Sequence, residues 1–553
     1  MKSYQKQIIN WDTSLNISEF PETVKSIFNK FYFKERRKFT LWLDKISQEH
    51  SSDLDWWVSP PASRNLYFSN LYKYICILKT LQNLSDKFKF IIITDSYAFK
   101  KIVKNIKDLN VIKVKIKFNK KSFFKNFFYL YIIKNILIYS VQYFLIKILY
   151  KKKILNNSII VDTFIIDKEK KEKFYYGDLL SYSNKKKKKL IFLATIIENN
   201  IYKFLHILIS LRKKKNYILK ENYLNLKDLI YCFSYINRIK KFNIKFNKFD
   251  NFELTDIIKE EIFYNRNLFS IFIGLSNFSF FKKLNDNSIK IKKVINWFEN
   301  QPMDKGFNYG LRKFFPNTLS LGYQGFTDYP EYMNTYPSIS EFNSKVIPKQ
   351  IIVCGNRYKK LRKEFCKKLD IINGPALRAE KIFKLFKKKN RYKIVIFLEG
   401  GTKKNDIDII SKFIDISKNF KNLKFFIKTH PILPLNKLDI QIPKNFEVVN
   451  GDFSTIAKKT FIAVSYGNTS ATLESLAYGC NLIIPFDNFF DKKNLSIFRI
   501  NKNFFRVCNN NLEINNAIKF FLNIKNSKRF SNRDKIKNIL FNKVNKKTLS
   551  VLL

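Results

Sequence analysis

Residues 393–401 read KIVIFLEGG, a short apolar run that ends in a carboxylate and two glycines. Two later runs have the same form, LKFFIKTHP at 423–431 and FIAVSYGN at 461–468. Short continuous runs of Ile, Val and Phe that alternate with longer helical or polar stretches are typical of parallel strands buried on both faces. The sequence therefore predicts a parallel α/β fold for this part of the chain.

A less regular series of the same kind precedes this one. Its predicted strands are 55–59, 90–96, 158–167, 189–197, 294–300, 318–326 and 349–356, while 446–452 and 481–487 complete the later series. Two series with a break near 357–390 predict two Rossmann-like domains. We expect an N-terminal domain over 1–356, a C-terminal domain over 357–530, and a basic tail or returning helix over 531–553.

Glycine and proline are concentrated in one part of the chain. Eleven of the 13 glycines lie between Gly306 and Gly479, and ten of the 13 prolines between Pro302 and Pro485. Abundant Phe, Tyr and Lys suggest codons biased towards A and T, so the remaining Gly and Pro mark turns, positive φ angles and close backbone approaches. This distribution predicts that the chemistry lies within 299–485.

The formal net charge of +58 favours an anionic partner. Nucleic acid and an anionic membrane surface both fit such a charge, and drift of tolerant surface sites to lysine would also produce it. The sequence contains no RNP-type, zinc-finger or basic-zipper signature. We therefore favour anionic lipid or a lipid-linked substrate over nucleic acid.

Cysteine usage and the N-terminus favour the cytoplasm, with the inner face of the cytoplasmic membrane as a peripheral site. The six cysteines form no CxxC pair, and the first residues lack the apolar core of a signal peptide. Within the aromatic and basic segment 122–153, residues 126–146 are long enough to span a membrane. Polar interruptions, including Lys134 and Gln142, favour a buried or interfacial helix over a span.

Three predicted strand ends of the second series carry the residue types of a ligand site. In parallel α/β sheets, ligands bind at the carboxyl ends of the strands, near helix N-termini. The candidates at the three strand ends and the following helix are Glu399, Gly400, Gly401, Lys428, His430, Pro431, Ser465, Asn468, Thr469, Ser470 and Glu474. Lys428 and His430 suit a phosphate leaving group, and Glu474 suits a sugar hydroxyl. Plain helix capping by Glu399, Ser470 or Glu474 is the alternative.

These motifs resemble those of bacterial GT-B glycosyltransferases. The shared features are an HP dipeptide after one strand and a Ser/Thr-rich turn before a helix of the form ExLAxG, and the similarity extends to sialyl-, polysialyl- and Kdo-transferases. It implies a CMP-activated acidic sugar as donor, bound by His430, Pro431, Ser465, Thr469 and Ser470. The adjacent serine pair of that family is replaced here by Asn468-Thr469-Ser470.

A wider resemblance covers nearly the whole chain. DLDWWVSPPASRN (53–65), WFENQPMDKGFN (297–308), LGYQGF (321–326) and IPKQIIVCG (347–355) are similar to surface-carbohydrate-biosynthesis proteins of bacterial O-antigen loci. That family often has a histidine where Gly325 stands, so a role for that histidine does not carry over. Arg64 and Gln324 within these motifs are the acceptor-side candidates.

Glu299 is the candidate general base, since an inverting transferase needs a carboxylate to take the proton of the acceptor hydroxyl. Asp95 and Asp162 are rivals, and a structural role for Glu299 is the alternative. The DxD matches at Asp53/Asp55 and Asp406/Asp408 lack the strand-to-loop setting of a metal–diphosphate site, so we infer no metal and no cofactor.

The sequence thus predicts two Rossmann-like domains of GT-B type, with parallel sheets facing across a cleft. The predicted activity is transfer of a sugar from a nucleotide-sugar donor to a glycan or lipid-linked acceptor, in the synthesis of a surface polysaccharide of the O-antigen, lipopolysaccharide or capsule kind. A sugar-nucleotide epimerase or hydrolase, and a non-catalytic basic protein that binds polysaccharide or nucleic acid, are the alternatives.

Overall fold

A computed structural model describes the chain except residues 1–5, 16, 118–126, 155, 167–171, 246, 265–267, 328, 330–331, 385–390, 401–402, 431–432, 467–468, 486–499, 509 and 524–534. The described strands form two large parallel sheets, one small parallel sheet and a short antiparallel hairpin. The two large sheets confirm the predicted fold class of two Rossmann-like parallel α/β sets.

The first large sheet has seven strands. They are β4 (Ser158–Ile165), β5 (Leu190–Ile196), β6 (Tyr217–Ile218), β9 (Ile291–Trp297), β10 (Leu319–Gln324), β11 (Gln350–Val353) and β12 (Asp370–Asn373). Their order is β12-β11-β10-β9-β4-β5-β6, and every pairing is parallel. All eight residues of β4 are buried, because neighbours along the strand enter two different apolar clusters on opposite faces.

The second large sheet has six strands. They are β13 (Tyr392–Phe397), β14 (Phe425–Lys428), β15 (Phe446–Val448), β16 (Thr460–Val464), β17 (Asn481–Ile484) and β18 (Phe505–Val507). Their order is β15-β14-β13-β16-β17-β18, again with parallel pairing throughout. Helices of this part are α18 (Lys403–Ser417), α19 (Phe453–Ala457), α20 (Ser470–Ala477) and α21 (Asn511–Asn523).

A three-stranded parallel sheet precedes both. It consists of β1 (Ile8–Asp12), β2 (Lys89–Thr94) and β3 (Val111–Ile116), of which the sequence predicts only β2. Its helices are α1 (Glu22–Lys34), α2 (Arg36–Glu49), α3 (Leu54–Trp57), α4 (Pro60–Ser63), α5 (Leu71–Leu84) and α6 (Tyr97–Asn105). The predicted strand 55–59 is wrong. Asp53 accepts a hydrogen bond from the Asp55 N–H and starts α3, which buries Trp56 and Trp57.

The remaining helices of the chain pack against the seven-stranded sheet or against the helices of the three-stranded one. They are α7 (Phe128–Leu149), α8 (Glu172–Tyr176), α9 (Leu179–Lys185), α10 (Ile201–Arg212), α11 (Leu226–Phe233), α12 (Tyr235–Ile239), α13 (Thr255–Phe263), α14 (Leu268–Asp286), α15 (Pro302–Phe314), α16 (Ile339–Asn343) and α17 (Asn356–Leu361). The hairpin is β7 (Lys248–Phe249) with β8 (Phe252–Glu253). α14 and α15 pack closely: a Cβ on Gly306 would lie 1.9 Å from the Gly274 carbonyl oxygen.

Both ends of the C-terminal part return to the first sheet. Strand β12, beyond the boundary expected at 356, pairs with β11, so the seven-stranded sheet extends to Asn373. The last helix, α22 (Lys546–Leu552), buries Leu549 and Leu552 in a cluster that also contains Trp297. The Asn542 N–H donates to the Cys354 carbonyl at 2.6 Å, which ties the chain end to the segment after β11.

Candidate active site

The three strand ends of the second sheet lie side by side. β14, β13 and β16 are adjacent, with Phe397 paired to Lys428 and Ile396 to Val464. All three run in the same direction, so their carboxyl ends meet at one edge of the sheet. The predicted convergence of these strand ends is confirmed.

The turn after β13 is closed from inside the domain. Asp406 of α18 accepts the N–H groups of Glu399 and Gly400, each at 3.1 Å, and Asn405 donates to the Glu399 carboxylate at 2.7 Å. These two N–H groups are therefore bonded within the fold and are not directed at a ligand. Burial raises the pKa of the Glu399 carboxyl, which the bond from Asn405 opposes. Gly401 lies outside the described residues.

Gly400 allows His430 to approach this turn. Its φ is +67°, and a Cβ built there would lie 2.5 Å from the His430 Cβ and 2.7 Å from its Nδ1. A glycine is therefore required both for the backbone conformation and for the space. His430 is half-buried, and its carbonyl accepts the Leu433 N–H at 3.1 Å. Pro431, the candidate donor-binding residue that follows, lies outside the described residues.

Lys428 ends β14 on the same edge. Its side chain is half-buried, and Nζ donates to the Thr429 carbonyl at 2.7 Å. Burial lowers the pKa of this ammonium, while the nearby Asp452 carboxylate raises it. The lysine thus adds positive charge close to His430.

The turn after β16 forms a hydroxyl cluster around the start of α20. Ser465 is buried, and its Oγ lies 2.9 Å from the Thr469 Oγ1, while Thr472 donates to the Ser465 Oγ at 3.3 Å. Ser465 therefore positions Thr469 rather than facing solvent itself. Ser470 is exposed, and among the described residues the N–H groups of Ser470 and Ala471 have no hydrogen-bond acceptor. Asn468 lies outside the described residues.

Glu474 lies one turn into α20 and is half-buried. Burial raises the pKa of its carboxyl, and Arg378 from the segment after β12 opposes that shift. A residue that follows the edge strand of the first sheet therefore contributes to the electrostatics of this carboxyl on the second.

Glu299 follows β9 at the carboxyl edge of the first sheet. Trp297 Nε1–H donates to its Oε1 at 2.7 Å, and the Gln301 amide donates to its Oε2. Its backbone is fixed as well, because its N–H donates to Asp304 at 3.2 Å and its carbonyl accepts from Asn334 at 2.7 Å. A half-buried carboxylate held in this way has one defined direction.

Arg64 and Gln324 do not lie in an open cleft, which corrects their acceptor-side placement. Arg64 is 4% exposed, and its guanidinium donates to the Glu341 carboxylate at 2.8 Å. Gln324 is 1% exposed, donates to the Thr335 carbonyl at 3.1 Å and accepts from Arg362. Both side chains hold elements of the N-terminal part together.

The carboxyl edges of the two sheets face each other. The Tyr329 hydroxyl, after β10, donates to the Thr469 carbonyl at 2.9 Å. The exposed Arg378 packs its guanidinium 4.7 Å from the Phe174 ring centre and 5.9 Å from the Trp297 ring centre. Since Arg378 also acts on Glu474, it lies between the two edges. The sequence analysis does not predict the role of Arg378, because it does not predict the strand β12 that precedes it. The Gly374-Pro375 pair directly after β12 is the sequence feature that could have indicated a strand end there.

Three of the four aspartates in the DxD matches have structural roles. Asp53 caps α3, Asp55 pairs with Arg238, and Asp406 accepts the two N–H groups after β13. In the part of the chain that the structure describes, no group of three His, Cys, Asp or Glu side chains is placed to hold a metal ion. Metal independence remains a prediction.

No protein-family model and no curated protein matches this chain. Solved structures that it resembles include glycosyltransferases. The pneumococcal O-GlcNAc transferase GtfA in complex with UDP and GlcNAc has a TM-score of 0.42 and 12% identity, over 72% of this chain and 97% of that one. A GtfA/B complex has a TM-score of 0.43 and 10% identity, over 72% and 98%. MurG of Acinetobacter baumannii has a TM-score of 0.35 and 8% identity, over 69% and 99%. Likenesses of this size carry no argument about activity.

Proposed function

We propose that this protein is a glycosyltransferase of the two-domain GT-B type, with a nucleotide-sugar donor on the C-terminal sheet and an acceptor on the N-terminal one. The observation that carries the proposal is the opposition of two parallel-sheet carboxyl edges, joined by Tyr329–Thr469 and by Arg378. A substrate between these edges touches strand ends from both sheets, as group transfer requires.

The donor phosphate is assigned to the start of α20. The N–H groups of Ser470 and Ala471 point out of a helix N-terminus, where the helix dipole favours an anion. Lys428 and His430 add donors on the neighbouring strand end. Together these groups stabilise charge on the departing phosphate, which is the main demand of the transfer step.

The acceptor is activated by Glu299 in this proposal. Its carboxylate is oriented by the bonds from Trp297 and Gln301, and a carboxylate is the group that accepts the proton of an attacking hydroxyl. The oxygen of that hydroxyl then bonds to the anomeric carbon as the bond to the phosphate breaks. Arg378 between the edges is suited to an anionic group on either substrate.

The resemblance of the HP and Ser/Thr motifs supports a CMP-linked acidic sugar as the donor. The wider resemblance over residues 53–355 supports a role in bacterial surface polysaccharide synthesis, with a glycan or lipid-linked acceptor. A cytoplasmic location follows from such a donor. We also propose that the domains divide near the sequence-predicted boundary, with β12 and α22 added to the N-terminal one.

The deciding experiment is titration of the purified protein with CMP-, UDP- and GDP-sugars in a calorimeter. We expect one nucleotide class to bind, and His430→Ala to weaken that binding at least about tenfold, as loss of a charge-assisted hydrogen bond does. The exposed His206 on α10 provides a matched control, since His206→Ala should bind as the wild type does.

The outcome distinguishes the alternatives. Failure to bind any nucleotide sugar contradicts the proposal. Breakdown or epimerisation of the donor without an acceptor identifies a hydrolase or epimerase that uses the same site. Binding of polysaccharide or nucleic acid that is steeply salt-dependent and unaffected by His430→Ala identifies a non-catalytic basic protein.

A further inference from the structure

Helix α7 exposes an apolar stripe along its whole length. Tyr129, Leu130, Ile133, Leu137, Val141, Phe144 and Ile148 are all exposed. Their spacing of three and four residues places most of them on one side of the helix. Lys134 is the charged residue exposed on this helix, all of which the structure describes. A surface helix of a globular protein ordinarily exposes polar side chains instead.

Two neighbouring helices extend this surface. The Gln142 amide of α7 donates to the Glu198 carbonyl before α10, and Lys152 after α7 donates to the Leu211 carbonyl near the end of α10. The two helices therefore run side by side in the same direction. On the other flank, the Tyr143 hydroxyl donates to the Leu224 carbonyl just before α11.

The flanking helices expose large apolar side chains too. Tyr202 is 80% and Ile209 52% exposed on α10, and Leu226 is 56% and Ile230 65% exposed on α11. We call these four residues and the exposed stripe of α7 the α7 face. Large apolar side chains exposed on three neighbouring helices mark a surface that contacts something other than water.

A positive rim borders the α7 face where α7 and α10 end. Six exposed basic residues gather there: Lys151, Lys153, Arg212, Lys213, Lys214 and Lys215. Neither α7 nor α10 contains an acidic residue. If a second copy of the chain docked here, its α7 and α10 would present the same positive rim and no acidic residue to pair with it. Anionic lipid headgroups, in contrast, complement the charge of the rim.

The inner side of α7 is fixed to the fold. Besides the bonds of Gln142 and Tyr143, Lys147 donates to the Asn222 carbonyl at 3.0 Å. By length and composition α7 is the one helix among the described residues that could cross a bilayer. If α7 crossed a bilayer, these three hydrogen bonds would break and the polar side chains that make them would be left without partners in the hydrocarbon. The structure therefore fits a helix that contacts the membrane through its outer side alone.

We propose that the α7 face docks on a bilayer surface with anionic lipid headgroups. The apolar stripe enters the headgroup region, Lys134 extends its ammonium to the phosphates, and the basic rim lies over the anionic surface. This interaction goes beyond the proposed sugar transfer and does not depend on it.

The position of α7 relates the docked bilayer to the cleft. Gln142 is level with Glu198, just beyond the carboxyl end of β5, so the first half of α7 extends past that edge of the sheet. The same edge carries Glu299. A substrate embedded in the bilayer would thus lie on the side of the molecule where the candidate active site opens.

The test is sedimentation of the purified full chain with vesicles of phosphatidylcholine, alone or mixed with phosphatidylglycerol. We expect binding to the mixed vesicles, weakened by high salt. Replacing both Leu130 and Leu137 with Ser should reduce it about tenfold or more through lost apolar burial. Replacing Lys213, Lys214 and Lys215 with Gln should reduce it on the order of a hundredfold, at about fivefold per lysine.

Matched controls are two leucines exposed on other helices, Leu41 of α2 at 50% and Leu512 of α21 at 69%. Their double replacement by Ser should leave vesicle binding unchanged. The inference is overturned by absence of binding to either vesicle, by equal loss in the control, or by resistance of the bound wild type to alkaline extraction, which indicates a span. A wild-type dimer that Leu130→Ser with Leu137→Ser makes monomeric also overturns it, in favour of a second copy.

Discussion

Glu299 is oriented before any substrate binds, because Trp297 and Gln301 hold its two carboxylate oxygens. For Glu299→Gln we expect kcat to fall by about 10²–10⁴-fold, the usual contribution of a general base, while the donor Kd stays unchanged. Steady-state rates and donor titration measure the two quantities separately. Glu447→Gln, at an exposed glutamate of β15, is the control. A normal kcat in this variant would show that another carboxylate, such as Asp95 or Asp162, acts as the base.

Gly400 combines a positive φ angle with a close contact to His430. We expect Gly400→Ala to lower the free energy of unfolding by about 1–3 kcal/mol and to weaken donor binding, since the methyl group displaces the imidazole. Gly451, where φ is +122° and an added Cβ would meet nothing within 4 Å, separates backbone strain from this contact. Gly451→Ala should lower the free energy of unfolding and leave donor binding unchanged. Equal donor affinity in the two variants would show that the His430 contact has no part in binding.

At the scale of elements, a buried ion network joins three helices of the N-terminal part. Glu341 of α16 accepts from Arg64 after α4 and from Lys305 of α15, and all three side chains are at most 2% exposed. The two cations lower the pKa of Glu341 against the effect of its burial. The network therefore sets how α4, α15 and α16 pack.

Removing the central carboxylate leaves two cations buried without their partner. We expect Glu341→Gln to reduce the free energy of unfolding by about 3–5 kcal/mol, measured by urea denaturation. Asp439→Asn, which breaks the exposed pair with Lys403, should leave the urea midpoint unchanged. A small effect of Glu341→Gln would mean that the helices pack equally well without the network.

The elements also differ in how far the sequence predicts them. The strands β13, β14, β16 and β17 of the second sheet are predictable because each has a continuous apolar run before a polar strand end. The strand β18 is not predicted, because Arg506 interrupts its short apolar run. The strand β12 (Asp370–Asn373) is not predictable, because it contains only two apolar residues, and both of its ends are polar. The run at 55–59 is misassigned because short aromatic runs suit a buried strand and a buried helix equally well.

At the scale of the whole molecule, stability depends on two buried carboxyls in the seven-stranded sheet region. Asn296 Nδ2 lies 2.7 Å from Asp162 Oδ2 and 3.2 Å from Asp304 Oδ1. Burial raises the pKa of Asp162 to about 7 and that of Asp304 to about 8, from an ordinary value of 3.8. The folded state therefore binds these protons more tightly than the unfolded chain does.

This difference fixes the sign of the pH dependence. The contribution of both groups to stability is complete below about pH 4 and is lost as pH rises through the folded pKa values. We expect the free energy of unfolding to fall between about pH 5 and about pH 8, and Asp162→Asn to make that slope shallower. Urea denaturation across this range measures it, with Asp415→Asn at the surface as control. An unchanged slope in Asp162→Asn would contradict the prediction.

The sequence by itself determined the parallel α/β class, the six-stranded sheet's main strands and the convergence of the three strand ends that carry the candidate donor-site residues. These follow from local information, since apolar run length and strand direction are set along the chain. Only the tertiary structure decided that Arg64 is buried against Glu341, that Asp406 takes the N–H groups after β13, and that Arg378 lies between the two edges. Each of these features depends on a residue distant in sequence or on a turn whose conformation is set by packing. A charged side chain can be buried only where the fold supplies its partner, and the local sequence does not show that partner.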